Sequence, residues 1–213
     1  MSQRDAKRLV TYSSISHLGF IMLGVFALTP VSTQGAVLIM INHGIATSAL
    51  FLLLGMLHDR QGTTELGAFD GLARAMPIFS VMLSLAILSA VALPATNGFV
   101  GEFLVLVGSY EVVPVLTLVA STGAVFAAIY GLRMLQGVIF ERGNLPRTEP
   151  LRDLNRREML VMGVFALAIV WMGVAPGPVL RRVERASRGT VEAARFGLNA
   201  PLARVPGSVR PAP

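Results

Sequence analysis

Cysteine is absent from the 213 residues, which excludes disulfides, thiolate-bound zinc and cysteine-ligated iron–sulfur clusters and leaves the redox compartment undefined. Charge is scarce too: Asp, Glu, Lys and Arg make up 14 % of the chain, against roughly a quarter in a soluble domain. Lysine occurs once, at Lys7, so arginine carries almost all the positive charge behind the net +6. Aromatic residues reach only 7 % and do not interleave with the arginines. Without such stacking platforms, the basicity reads as membrane orientation and headgroup contact rather than nucleic-acid binding. No glycine-rich nucleotide loop follows a strand pattern. No cofactor is expected in this chain, and any redox machine it serves must hold its centres elsewhere.

What the chain has instead is apolar surface: 54 % hydrophobic residues and a mean hydropathy of +0.66. Bilayer-length runs recur, so the first is not read as a cleaved leader. The expected fold is all-α, a polytopic membrane protein, because open strands cannot satisfy their backbone groups in lipid. Five helical units are expected, at about 9–28, 35–57, 77–112, 114–140 and 157–180. They form a membrane region over 1–180, followed by an Arg/Pro-rich tail over 181–213 with a short surface helix at 181–196 and a disordered end. Arg4, Lys7, Arg8 and the loops containing Arg60, Arg74 and a cluster of five arginines orient the N-terminus and those loops inward. Five spans then put the tail and its seven arginines outside, against that rule.

The third unit sets the topology. As one helix, residues 77–112 would run about 54 Å at 1.5 Å per residue, well beyond the hydrocarbon thickness. A discontinuous helix fits, broken near 94–99 in "LPATNGFVGEF", where Pro94 removes a donor, Asn97 is polar and Gly98 tolerates any backbone conformation. Broken membrane helices point to ion pathways. Glu102 follows the break, and an intramembrane carboxylate faces a bundle interior, a partner charge or a wet cavity. The competing explanation is a solvated interfacial residue like Glu111.

His17 in "SSISHLGF" and His43 in "INHGIATSALF" come out near mid-membrane on antiparallel neighbours, within about 6 Å in depth. Ser13 shares a face with His17, and Thr47 with His43, by i,i+4 spacing. Such polar stripes suit a proton relay, a pair of haem ligands, or structural histidines bonding neighbouring helices; spacing leaves all three open. Lys7, Arg8 and Arg133 read as interface anchors and Trp171 as part of an aromatic belt. Glycines 19, 24, 44, 55, 123 and 131 suggest close helix packing.

Taken in order, "DAKRLVTYSSISHLGFIMLG", "NHGIATSALFLLLG" and "LPATNGFVGEFLVLVGSY", with a closing "GVAPGPVL", resemble the C-terminal part of the M subunit of proton-pumping NADH-quinone oxidoreductase (respiratory complex I). The resemblance covers about residues 4–180. It implies the last five of fourteen helices in an antiporter-like fold, the third unit matching the second broken helix. It also implies that Glu102 is the terminal charged residue of the outward half-channel and that His17 and His43 lie on the polar axis feeding it. Lys7 falls in the family's D-x-K-R signature. Many related subunits carry lysine at the position of Glu102, so glutamate favours the M type. Ala95 and Thr11 depart from the usual Gly and Ala. The first broken helix and its buried lysines are absent, so a fragment is expected. Implied partners are the antiporter-like L and N subunits, the missing N-terminal half and the lipid bilayer, and the implied location is a bacterial inner membrane. A subunit of a Mrp-type sodium/proton antiporter or membrane hydrogenase is the related alternative, and a haem-binding membrane anchor the unrelated one.

Overall fold

The computed structural model describes residues 3, 5–66, 68, 71–140 and 151–199, the last three by backbone only. Among them the chain is helical: α1 Ala6–Phe26, α2 Pro30–Gln61, α3 Leu72–Ala75, α4 Pro77–Ala90, α5 Asn97–Tyr110, α6 Pro114–Leu135 continued by a π-helical turn Gln136–Phe140, α7 Arg156–Val174 and α8 Gly177–Asn199. An isolated β-bridge joins Asp5 to Glu65. α1, α2, α6 with its π turn, and α7 are long and apolar enough to cross a membrane.

Local chemistry explains several helix ends. Asp5 caps α1 by accepting the Arg8 N–H at 2.9 Å. Thr29 and Ser32 form a capping box on α2 with Pro30 in its first turn, so this helix begins five residues before the expected 35. Gly62, in the left-handed conformation at φ 70°, ends it. α4 has no capping side chain of its own. Asp153, far along the chain, supplies one, accepting the Ile78 and Phe79 N–H groups at 2.8 and 3.0 Å.

The third unit is broken as expected, but earlier. The break covers residues 91–96, and Asn97 and Gly98 belong to the first turn of α5. Both are tolerated where the first N–H groups need no intrahelical partner. The break closes on itself: Val91 N–H bonds Ile87 O, Leu93 N–H bonds Leu88 O, and Thr96 bonds Leu93 O through both its N–H and its hydroxyl. α4 and α5, each 14 residues and about 21 Å long, are too short to span singly. They follow one another along α2. α5 packs on its first half, where Ser32 meets Gly108 and Gly35 meets Gly101. α4 packs on its second half, where Leu53, Leu54 and Leu57 join Met76, Phe79 and Leu83 in the core.

The expected fifth unit, 157–180, is two helices: α7 ends at Val174, and α8 starts at Gly177 after Ala175-Pro176. α8 therefore starts before the surface helix expected at 181–196. It docks on α2, where Gln34 Nε2 donates to Leu180 O at 2.9 Å, while Arg181, Arg182, Arg185, Arg188 and Arg195 stay exposed. The Pro-rich end expected to be disordered lies outside the described residues. Opposite this, Arg60 at the end of α2 pairs with Glu158 of α7 and donates to the carbonyls of Met56, Arg152 and Asp153. α6 and α7 leave most of their apolar surface exposed, including Leu116, Val119, Phe126, Leu160, Val164 and Leu167.

Candidate functional site

Three helices converge beside the break. α1 contributes His17 and α5 contributes Glu102, each 7 % exposed; His17 Nδ1 stands 3.4 Å from Glu102 Oε1. α2 contributes His43, half-buried, whose ring lies against that of His17 with centroids 4.7 Å apart and planes tilted by 39°. Thr47 Oγ1 is 3.2 Å from His43 Nδ1, one helical turn away as the i,i+4 spacing requires. Glu102 thus lies inside the bundle, unlike Glu111, which is exposed. Three ionisable side chains from three helices form one contiguous cluster, an arrangement able to pass a proton between imidazole and carboxylate. Two imidazoles in ring contact leave no room for a porphyrin between them, so the paired haem-ligand reading does not fit.

The supporting residues divide. Ser13, one turn before His17, is buried and donates to Val10 O at 2.7 Å. Asn97 is wholly buried at the start of α5, and Gly98 lies so close to Ser89 O and Ala92 that a β-carbon there would collide. Pro94 instead sits exposed within the break. Ala95 beside it adopts φ 74°. This is the left-handed region that glycine occupies freely, which accounts for the glycine common at that position in the resembling family.

Sequence reading missed two contributors. Asn42 Nδ2 donates to the Asn97 carbonyl at 2.5 Å, tying α2 to the break. Its buried amide next to His43 was the available signal. Tyr130 of α6 holds its hydroxyl oxygen buried, beside Ser13 and within electrostatic reach of Glu102. Nothing in the spacing of α6 pairs Tyr130 with α1. Gln3, Leu9, Tyr12, Ser13 and Tyr130 line a cavity of about 220 Å³.

The family described as "NADH:quinone oxidoreductase/Mrp antiporter, TM" matches residues 1–127. NADH-quinone oxidoreductase subunit M of Pseudomonas aeruginosa is 41 % identical over 179 residues, covering 84 % of this chain and 35 % of its own length. NADH-ubiquinone oxidoreductase chain 4 of Chondrus crispus is 35 % identical over 192 residues, covering 90 % and 39 %. The chain therefore spans well under half the length of these relatives. A chain in the structure of respiratory complex I from Thermus thermophilus with bound NADH superposes with a TM-score of 0.84 at 34 % identity, over 90 % of this chain and 40 % of that one. One in the Mrp complex from Dietzia sp. superposes at 0.81 with 16 % identity, over 92 % and 44 %, a likeness of fold alone. On the family match over more than half its residues, the chain belongs to the NADH:quinone oxidoreductase/Mrp antiporter transmembrane family.

Proposed function

We propose that this chain forms the C-terminal part of a proton-translocating membrane-arm subunit of NADH-quinone oxidoreductase in a bacterial cell membrane. Its neighbours are the antiporter-like L and N subunits and an N-terminal half of the same subunit. Electron transfer from NADH to quinone takes place in other subunits, and this chain moves protons in response. The observation that carries the reading is the buried pair His17–Glu102, 3.4 Å apart beside a helix break, with the His43 ring in tilted contact with that of His17. A proton on the His17 imidazole is one short step from the carboxylate, and His43 is one ring contact further away. Protonation of Glu102 then loads the outermost station of the cluster, from which release proceeds toward the Tyr110 end of α5. The identities with subunit M and chain 4 relatives, and the glutamate in "FVGEF", support the complex I assignment over the Mrp alternative.

The test is Glu102→Gln in the assembled complex, which keeps shape and removes the titrating oxygen. Proton pumping coupled to quinone reduction is expected to fall by about a hundredfold or more, as losing a positioned proton-transfer group does, and to be independent of sodium in the parent. Parental rate and stoichiometry in the variant would sink the assignment.

A further inference from the structure

Seven arginines follow α7, on the side of the membrane where the arginine bias of the other loops disfavours them. The geometry fixes that side. Arg60 in the last turn of α2 pairs with Glu158 at the start of α7, whereas Gln34, near the start of α2, bonds Leu180 in the first turn of α8. α8 therefore begins at the membrane face opposite Arg60, separated from the end of α7 by Ala175 and Pro176 alone. Trp171, half exposed one turn before that end, marks the depth of the interface. Five arginines and two glutamates make α8 too polar for the hydrocarbon, and it is not among the helices apolar enough to cross. It rests among the headgroups. Its faces are sorted. Val183, Ser187, Val191 and Ala194, spaced four, four and three apart, are buried or half-buried and face α2, on which α8 packs. Beside them Arg181, Arg185, Arg188 and Arg195, at i, i+4, i+7 and i+14, form a second, exposed stripe about 21 Å long. Arg188 pairs with Glu184 at 2.7 Å. Arg181, Arg185 and Arg195 have no ion pair among the described residues, and Glu192 is the one acid within the stripe.

We propose that the arginine stripe of α8 binds the phosphate groups of anionic phospholipids in the leaflet at that face. Guanidinium groups match phosphate oxygens in a two-pronged geometry and keep their charge at any working pH. A free interfacial helix is held by its own apolar face sunk into the acyl boundary. In α8 that face is spent on α2, so the attraction to lipid comes from charge, and it selects headgroups of net negative charge over zwitterionic ones. The docking on α2 holds the stripe in place before any lipid arrives, and so little ordering is needed when one binds. Arginine on a face where the orientation bias disfavours it thereby has a use. The inference concerns the membrane surface and holds whichever ion the chain moves.

The experiment places the assembled complex in nanodiscs of phosphatidylcholine mixed with phosphatidylglycerol, each lipid in turn carrying a photoactivatable headgroup label, and maps the labelled peptides by mass spectrometry. The expected result is labelling of residues 181–195 by the phosphatidylglycerol analogue well above that by the phosphatidylcholine analogue. It should fall about fivefold for each arginine removed, the factor one arginine contributes at an anionic surface. The variants are Arg181→Gln, Arg185→Gln and Arg195→Gln, singly and together; they leave the face on α2 untouched, so assembly is expected at the parental level. Equal labelling by the two analogues, or parental labelling in the triple variant, overturns the proposal. Cross-links from this segment to a neighbouring subunit, with neither lipid labelling it, overturn it in favour of a protein partner. Suppression of the labelling by free glycerol phosphate overturns it in favour of a soluble phosphate ester. If the triple variant does not assemble, Arg185→Gln decides alone.

Discussion

Gly35 and Gly101 face each other across α2 and α5 so closely that a β-carbon on Gly35 would stand 2.9 Å from the Gly101 carbonyl oxygen. The obstacle is backbone, which cannot swing aside as a side chain can. The helix carrying Glu102 is therefore set against the helix carrying His43 by the absence of two side chains. Without water to drive helices together in lipid, such close packing is a main source of their association.

Gly101→Ala should accordingly destabilise the protein by about 1–3 kcal/mol, the usual cost of overpacking. Its new methyl would meet Ile39 Cγ1 at 2.8 Å and Ile39 N at 3.0 Å. Gly44→Ala, in the same helix as Gly35 but with no atom within 4 Å of the added carbon, should be neutral or gain about 0.5–1 kcal/mol. Thermal unfolding of the assembled complex checks both, and equal shifts for the two variants would refute the packing argument.

Ala95→Gly should stabilise the chain. A left-handed L-residue costs about 1–2 kcal/mol, whereas glycine costs about 0.5–1 kcal/mol in conformational entropy. The net gain at Ala95, held at φ 74°, is then on the order of 0.5–1 kcal/mol. A raised unfolding midpoint with unchanged pumping is the expected outcome, and a lowered midpoint would show that Ala95 is not strained.

Asp5 gives a stability contribution that depends on acidity. Burial alone would push its carboxyl up, but the Arg8 N–H and the Thr64 hydroxyl, which donate to it, together hold it below the ordinary value of 3.8. A depressed carboxylate stabilises the fold fully above the unfolded value and loses that contribution as pH falls through the folded one. The gap between the parent and Asp5→Ala should therefore be about 1 kcal/mol at neutral pH, as for other helix caps. It should close only below pH 3.8. Denaturation midpoints measured from pH 7 downward test this; a gap closing above pH 5 would contradict it.

The sequence disclosed the residues that are out of place in lipid. Glu102, His17 and His43 stand out because each is polar inside an apolar run, and length arithmetic alone required a break between Pro77 and Val112. The position of that break was less legible. Asn97 and Gly98 look like helix breakers but serve equally well in a first turn, so the break falls at 91–96 rather than 94–99. The start of α2 was hidden because "TPVST" is polar, although Thr29, Pro30 and Ser32 spell a helix cap. Contacts between distant segments left no local trace in two cases, Asp153 capping α4 and Tyr130 beside Ser13. Glycines were partly misread. Gly24 and Gly131 do pack tightly, but Gly19, Gly44 and Gly55 face open space, while Gly35, Gly101, Gly108 and Gly173 sit in tight contacts. Which face of a helix meets a neighbour is decided by the neighbour.

Severing α4 from α5 has an electrical consequence as well as a steric one. An uninterrupted helix carries its fractional charges only at the two membrane surfaces, about half a positive charge at the N-terminus and half a negative one at the C-terminus. Here a second pair of ends is created at the break, the C-terminal end of α4 at Ser89 and Ala90 and the N-terminal end of α5 at Gly98, all three lining the wall shared with His17, His43 and Glu102. The cluster is thus bordered by two oppositely signed poles made of backbone alone, fixed in place and needing no further charged side chain in the hydrocarbon.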